Sequence, residues 1–394
     1  MGEWKQFKLA DVAIDFAMGP FGSNIKAENF IKSGVPVIRG KNLNFHKYVD
    51  GDFVYLNDKK ADELKKSNCF PDDLVFTHRG TIGQVGLIPK GKYPRYVVSQ
   101  SGMKLTVDKN KLDENYLFYF FKSDIGQYEL LKNESQVGVP AISSPLSSLK
   151  SVDLTLPPLS EQKVIASVLS SFDDKIGLLH RQNKTLEAMA ETLFKQWFVE
   201  EAEEYWEDGK MPDEFDYTMG VSPPGESYNE TEDGIPMFQG NADFEFRFPR
   251  RRIFTTDPKR FAEKYATLIR VRAPVGAQNM ANEKCCIGRG VAEFRYKRNT
   301  DYYTYTYFKL KSLMKEIQSF NDTGTVFGSI SKADFEAFEI VIPPNELVDK
   351  YQFEVKPIDD KVIANTIQIR TLEKLRDTLL PKLMSGEVRV EYEN

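Results

Sequence analysis

Two long stretches of the chain place apolar residues three or four positions apart. In the first, Phe172, Ile176, Leu179, Leu186, Ala190, Leu193 and Trp197 fall on alternating steps, with Asn183 filling one place. This is a heptad seam, the mark of a helix that buries one stripe against a partner. In the second, Ile358, Val362, Ile369, Leu372, Leu379 and Leu383 repeat the pattern, with Asn365 and Arg376 at two seam places. The first helix is predicted from about Ser160 to Phe198, roughly 58 Å at 1.5 Å per residue. Pro357 and Pro381 interrupt the second pattern. A kink or restart near Pro357, and a shorter unbroken rod, are therefore predicted. Each pattern follows a Pro-Pro pair, Pro157-Pro158 and Pro343-Pro344, which can continue neither a strand nor a helix.

Ahead of each Pro-Pro the period shortens. Strand-like runs bounded by Gly and Pro occur at Val35–Arg39, Asp73–His78, Gln84–Pro89, Lys104–Val107 and Leu268–Arg272. Short helices fit Glu114–Lys122 and Tyr303–Gln318, and closing strands fit Val152–Leu156 and Phe338–Ile342. Five matches then recur in the same order. Gly34–Gly40 matches Gly234–Gly240 at an offset of 200, and Tyr116–Lys122 matches Tyr303–Lys309 at 187. Leu156-Pro157-Pro158, Asp173–Ile176 and Leu186-Glu187 match Ile342-Pro343-Pro344, Asp359–Val362 and Leu372-Glu373 at 186. The period is too long for a solenoid, whose units run about 20–50 residues. The prediction is a mixed α+β protein with two α/β lobes, 1–155 and 201–342. Each lobe is followed by a spacer helix, 156–200 and then 343–394 with its tail.

Neither seam can stay bare in water. Each helix could pack on its own lobe. Alternatively, the two could pack on each other as an antiparallel coiled coil with a pseudo-two-fold axis. Pairing Asn183 with Asn365 would satisfy two buried amides and fix the register. It would set Leu179 opposite Ile369 and Ile176 opposite Leu372.

The net charge of −5 argues against nucleic acid, but the distribution does not. Glu200–Asp233 holds 13 acids and one base, a net of −12, and is read as a solvated linker. Residues 234–310 carry +8 and residues 1–150 carry +4. A local basic patch, not the chain total, is what meets phosphate. Three unpaired cysteines, no basic-then-apolar start and no long apolar run suggest a cytoplasmic protein. Three scattered histidines give no metal site, and no cofactor is expected.

No catalytic pattern emerges. Gly86–Lys92 resembles a phosphate loop, but ends in Tyr93 without the Mg²⁺-binding hydroxyl and contains Pro89. Pro71-Asp72 and Glu161-Gln162-Lys163 are too far apart to read as a nuclease cluster. The Pro-Pro pairs lack the Asp or Asn and the aromatic residue of an amino-methyltransferase. What remains looks like recognition. Arg39, Lys41, Asn42, Thr77, Arg79, Arg95, Tyr96 and Gln100 lie in or beside turns after strands in the first lobe. Gln239, Asn241, Arg250, Arg251, Arg252, Arg270, Arg272, Gln278 and Asn279 do so in the second. Arg on guanine and Asn or Gln on adenine are the side chains that read base edges, while Lys and other Arg grip phosphates. A structural adaptor with two protein-binding lobes, and a methyltransferase with an unrecognised site, are the competing classes.

The combination resembles the specificity subunit of type I restriction-modification systems. The carriers are Gly34–Arg39, Gly80-Thr81-Ile82-Gly83, Leu156–Gln162 with Ile165, and Asp173–Ile176 followed by Leu186-Glu187, with their near-duplicates in the second half. The second copy reads Pro343-Pro344-Asn345-Glu346-Leu347 without a Glu-Gln pair. Its Gly-rich turn becomes Ala273-Pro274-Val275-Gly276, and Trp4 has only a weak counterpart near Tyr205-Trp206. The resemblance implies two target-recognition domains, each reading half of a split sequence in double-stranded DNA. It also implies that the helices set the spacing and dock two methyltransferase subunits, which restriction subunits join.

Overall fold

The computed structural model describes residues 3–43, 47–136, 138–240, 242–320 and 328–391. The chain forms two compact units, Met1–Leu178 with Thr371–Asn394, and Leu179–Arg370.

In the first unit, an antiparallel sheet runs in the order Ala13–Met18, Gly102–Val107, Leu74–Thr77, Val85–Leu87. A second sheet runs Val54–Leu56, Val35–Ile38, Tyr96–Val98, Asn68–Cys69. Its middle pair is parallel, with Val37 beside Val97 and Ile38 beside Val98. These strands are buried almost throughout, which is why they read as continuous apolar runs rather than as alternation. Helix Glu114–Lys122 lies where predicted and buries Tyr116 through Phe121, and Asp113 caps it by accepting from the N–H groups of Asn115 and Tyr116.

The second unit repeats this plan. Phe215–Met219, Val291–Tyr296, Thr267–Arg270 and Gln278–Met280 form the first sheet. Ile253–Thr255, Ile235–Phe238, Cys285–Ile287 and Phe261–Ala262 form the second, extended by Tyr228–Asn229. Its parallel pair sets Met237 beside Cys286 and Phe238 beside Ile287. Gly34 and Gly234 open equivalent strands at φ 149° and 86°. A Cβ there would lie 2.4 Å from the Leu56 carbonyl oxygen and 2.1 Å from that of Thr255, so both places demand glycine.

One short strand pair closes each lobe. Lys5–Lys8 runs antiparallel to Asp153–Leu156, with Lys5 beside Leu156. Glu207–Lys210 pairs with Glu339–Ile342, with Glu207 beside Ile342. Trp4 and Trp206 thus hold the same place ahead of equivalent strands. This overturns the reading of the acidic run as a linker. Glu207–Met219 builds two strands and a helical turn, and Met211, Glu214 and Phe215 are buried. The acids mostly occupy the outward positions of those elements.

The long helices span Leu159–Lys195, continued by a π-helical turn at Gln196–Glu200, and Asn345–Ser385. As regular α-helix the second is the longer, 41 residues against 37, and it runs unbroken through Pro357 and Pro381, contrary to expectation. Pro357 faces solvent, and Phe353, whose carbonyl loses its partner, is 81% exposed. Water can hydrate that carbonyl, which removes most of the penalty for an internal proline.

Within each unit the helix segments run antiparallel. In the second, Asn365 Nδ2 donates to Asn183 Oδ1 at 3.0 Å and the Tyr351 hydroxyl donates to the Ala190 carbonyl at 2.9 Å. In the first, Arg376 pairs with Asp173 at 2.7 Å, and Arg389 grips the fully buried Glu161 with two nitrogens. Ile176, Leu179, Asn183, Val362, Asn365 and Ile369 are buried, while Phe172, Leu186, Ile358, Leu372 and Leu379 are half-buried. Toward the ends the seam drifts. Phe194 and Phe198 are buried where Leu193 and Trp197 were expected, and Leu380 is buried beside Leu379. A straight helix turns about 20° per heptad away from a strict 3.5-residue repeat, and its ends face the lobes. Ala190, Phe194 and Phe198 join the core of Tyr305, Phe308 and Tyr351, and Ile165 and Leu169 join that of Phe118 and Phe121. Both alternatives for the seams are thus realised along different parts of the same helices.

Candidate nucleic-acid interface

The C-terminal ends of the parallel pair and of the neighbouring antiparallel strand bring three turns together in each unit. In the first, the Ser99 N–H donates to the Ile38 carbonyl and the His78 N–H donates to that of Ser101, both at 2.9 Å. This sets Arg39, Arg79 and Gln100 side by side. In the second, the Gly288 N–H donates to the Phe238 carbonyl and the Val271 N–H to that of Gly290, again at 2.9 Å. This sets Gln239, Arg272 and Arg289 side by side. Arg79 and Arg272 each form an isolated antiparallel bridge, with Ala141 and Ser329 respectively. The turn Gly80–Gly83 and its divergent counterpart Ala273–Gly276 are clamped alike. Gln127 Nε2 donates to the Gly83 carbonyl at 3.0 Å, and Gln318 Nε2 to that of Gly276 at 3.2 Å.

The tips of these turns are open. Arg79, Gln100, Gln239, Arg272 and Arg289 are exposed, as are Lys41 and Arg250. None of these side chains pairs with a carboxylate among the described residues. Such side chains can meet phosphates or base edges without first breaking a bond. Arg251 and Arg252 are exposed but engaged, with Glu283 at 2.6 Å and Asp243 at 3.2 Å. Asn241 lies outside the described residues.

Several predicted readers are instead spent on the fold. Asn42 is buried, accepts from the Arg39 N–H and donates to the carbonyls of Asp50 and Asp52. The buried Thr77 hydroxyl donates to the Thr81 carbonyl and accepts from the Gln84 N–H, closing its own turn. Arg95 is held by Asp58 and Asp62 at 2.8 and 2.6 Å, tying down helix Asp58–Glu63. Tyr96 is core. Gln278 Nε2 donates to the Tyr307 carbonyl at 2.7 Å, and buried Asn279 donates to that of Glu245 at 2.6 Å. Residue type and proximity to a strand end picked these residues out. Which way the side chain faced decided their role.

Sequence reasoning missed Arg289, although it stands between Gly288 and Gly290 after an apolar strand, the same signal that singled out the others. It also missed the cations beneath the turns. Lys47 and Arg247 share the offset of 200, and each backbone carbonyl accepts from an equivalent strand residue, Leu87 or Met280. Lys47 donates to Ser170 Oγ at 2.6 Å, and burial pushes its pKa down. Arg247 is wholly enclosed, with Asp359 Oδ1 at 2.8 Å and the Tyr307 ring at 3.9 Å. The Asp173/Asp359 motif therefore serves to anchor. Tyr119 donates to Asp173 and Thr304 to Asp359, tying each lobe to its helix.

Among the described residues no cluster of His, Cys, Asp and Glu could hold a metal ion, and no helix is long and apolar enough to cross a membrane. The family model of the type I restriction modification DNA specificity domain matches residues 1–188 and again 204–371. A Methanocaldococcus jannaschii protein named as the MjaX specificity subunit of a type I restriction enzyme is 30% identical over 382 residues, 92% of this chain and 89% of that one. The MjaIX specificity subunit of the same organism is 28% identical, across 99% of this chain and 94% of its own. The type I restriction-modification S subunit from M. genitalium shares the fold at a TM-score of 0.65 and 19% identity, covering 96% of each chain. The chain belongs to the type I restriction-modification specificity family and is a specificity subunit with two DNA target-recognition domains.

Proposed function

We propose that each recognition domain reads one half of a bipartite sequence in double-stranded DNA, within the cytoplasm. The long helices set the interval between the halves and dock two methyltransferase subunits. Restriction subunits join that assembly to complete a nuclease. The chain supplies sequence choice and leaves chemistry to its partners.

The observation that carries this reading is the duplicated cluster of turns. In each unit the same strand ends present guanidinium and amide groups that find no carboxylate among the described residues. Arg39, Arg79 and Gln100 serve the first half-site, and Gln239, Arg272 and Arg289 the second, with Lys41 and Arg250–Arg252 beside them. The two sets differ in chemistry, so the two half-sites should differ in sequence. Salt dependence gives a direct check, since phosphate-dominated affinity falls with a log–log slope near −0.9 per phosphate contacted. The modular claim is tested by exchanging residues 1–155 for those of a relative and mapping methylated sites in cells that carry the partner subunits. Only one half of the motif should change. A change in both halves, or in neither, would refute the assignment.

A further inference from the structure

Arg270 ends the strand Thr267–Arg270 directly behind the three turns of the second domain. The residue is 6% exposed, and its Nε and Nη1 are shielded and find no acceptor. Among the described residues no carboxylate compensates it, and burial alone pulls its pKa down. A Cβ built on Gly240 would lie 3.1 Å from Arg270 Cδ, so the guanidinium stem runs under the Gln239-Gly240 turn. The third nitrogen, Nη2, is not among the shielded atoms and marks the way out. Arg247, more deeply buried and likewise without an aligned hydrogen bond, shows how the fold treats a cation it keeps for itself, with a carboxylate at 2.8 Å and an aromatic face. A buried charge without such company is costly unless an anion arrives.

The first domain solves the same place differently. Thr77 stands where Arg270 does and spends its hydroxyl on its own turn. The neighbouring turn carries Arg39, whose Nε is likewise shielded and without an acceptor, where the second domain carries the neutral Gln239. Gly40 touches Thr77 as Gly240 touches Arg270. Each domain thus owns one uncompensated guanidinium in one notch, delivered from adjacent strands.

We infer that this notch is a phosphate site. It seats one backbone phosphate of the duplex in each half, held by Arg39 in the first domain and by Arg270 in the second. The inference rests on the DNA-reading role and adds a division of labour within it. A base edge offers neutral acceptors and would leave the charge uncompensated, whereas a phosphate neutralises it. Arg270, with two of its three nitrogens shielded, also cannot present the open fork that guanine recognition requires. Arg79, Arg272 and Arg289, on the tips, remain for bases.

The test uses the full-length chain and its duplex over a range of salt. Arg270→Met and Arg39→Gln should each weaken binding to every sequence alike and flatten the log–log slope by about 0.9. Between 50 and 200 mM salt, that makes the loss about 3.5-fold larger at the low end. Adding Thr77→Arg to Arg39→Gln, which copies the arrangement of the second domain, should restore the slope. Arg270→Met should also raise the Tm of the free protein, because it removes a buried charge that has no partner. Unchanged slopes, a loss confined to one base position, failure of the rescue, or a lowered Tm for Arg270→Met would each overturn the inference while leaving DNA reading intact. A wild-type chain without salt-dependent binding would remove the DNA reading itself, and this inference with it.

Discussion

The Asn183–Asn365 pair lends itself to a double-mutant cycle. Both residues are 1% exposed. Asn183 accepts from Asn365 Nδ2 at 3.0 Å and donates to Thr366 Oγ1 at 3.2 Å, and Asn365 Nδ2 also reaches Gln182 Oε1 at 3.4 Å. Asn183→Leu removes the two shorter bonds and leaves the Asn365 amide in an apolar seam. That penalty is about 1–3 kcal/mol. Burying the leucine returns about 1.5–3 kcal/mol, so either single substitution should lie near balance. With both changed to Leu no amide is left over, and Thr366 still donates to the Val362 carbonyl at 2.7 Å. The double variant should therefore be more stable than the sum of the singles by about 1–3 kcal/mol. At about 2–4 °C per kcal/mol for a unit of this size, the excess is visible in thermal melts and measurable by urea titration. Additivity within about 0.5 kcal/mol would refute the argument that these amides matter as a pair.

Other substitutions separate reading from scaffolding. Arg79→Ala should relax base preference at one position of one half-site, costing about 1–3 kcal/mol there, read by competition binding over a randomised site. Arg95→Ala should leave that preference untouched and cost under about 1 kcal/mol of stability in a melt, as expected for partly exposed ion pairs. Arg389→Ala strands the buried Glu161 carboxylate and should destabilise by about 3–5 kcal/mol in urea titration. Burial pushes the pKa of Glu214 up, although Lys309 Nζ stands 3.9 Å away and Tyr305 donates to it. Its folded pKa then exceeds its unfolded one, and stability falls as pH climbs from the ordinary carboxylate range through the folded value. Glu214→Gln should therefore raise Tm at pH 8, with the gain fading toward pH 4.

The architecture was legible because duplication and heptad spacing act over many residues. One misplaced residue does not erase them. The pairing of Asn183 with Asn365 followed from two polar residues on apolar seams, since only one alignment satisfies both. What escaped was decided by direction. Pro357 looked like a break because the sequence does not say which side of the helix it faces. The acidic run looked like a linker because charge density hides a few inward residues, Met211 and Phe215 among them. Asn279 and Arg95 have the chemistry of base readers, but contacts tens of residues away along the chain claimed them, and Asn42 was claimed by the loop that follows it. Lys47 and Arg247 gave no local signal. Their role depends on a helix more than a hundred residues further on.

The first unit is built from both ends of the chain, with Leu179–Arg370 synthesised in between. Ile165 and Leu169 emerge from the ribosome early, yet Leu380, Leu383 and Arg389, which complete their surroundings, come last. At about 5–20 residues per second the opening half waits roughly 10–40 s for its closing strap. During that interval an apolar stripe and the Glu161 carboxylate stand uncovered. Loss of the last two dozen residues should leave them so for good, making the N-terminal lobe a client for chaperones although none of its own residues has changed.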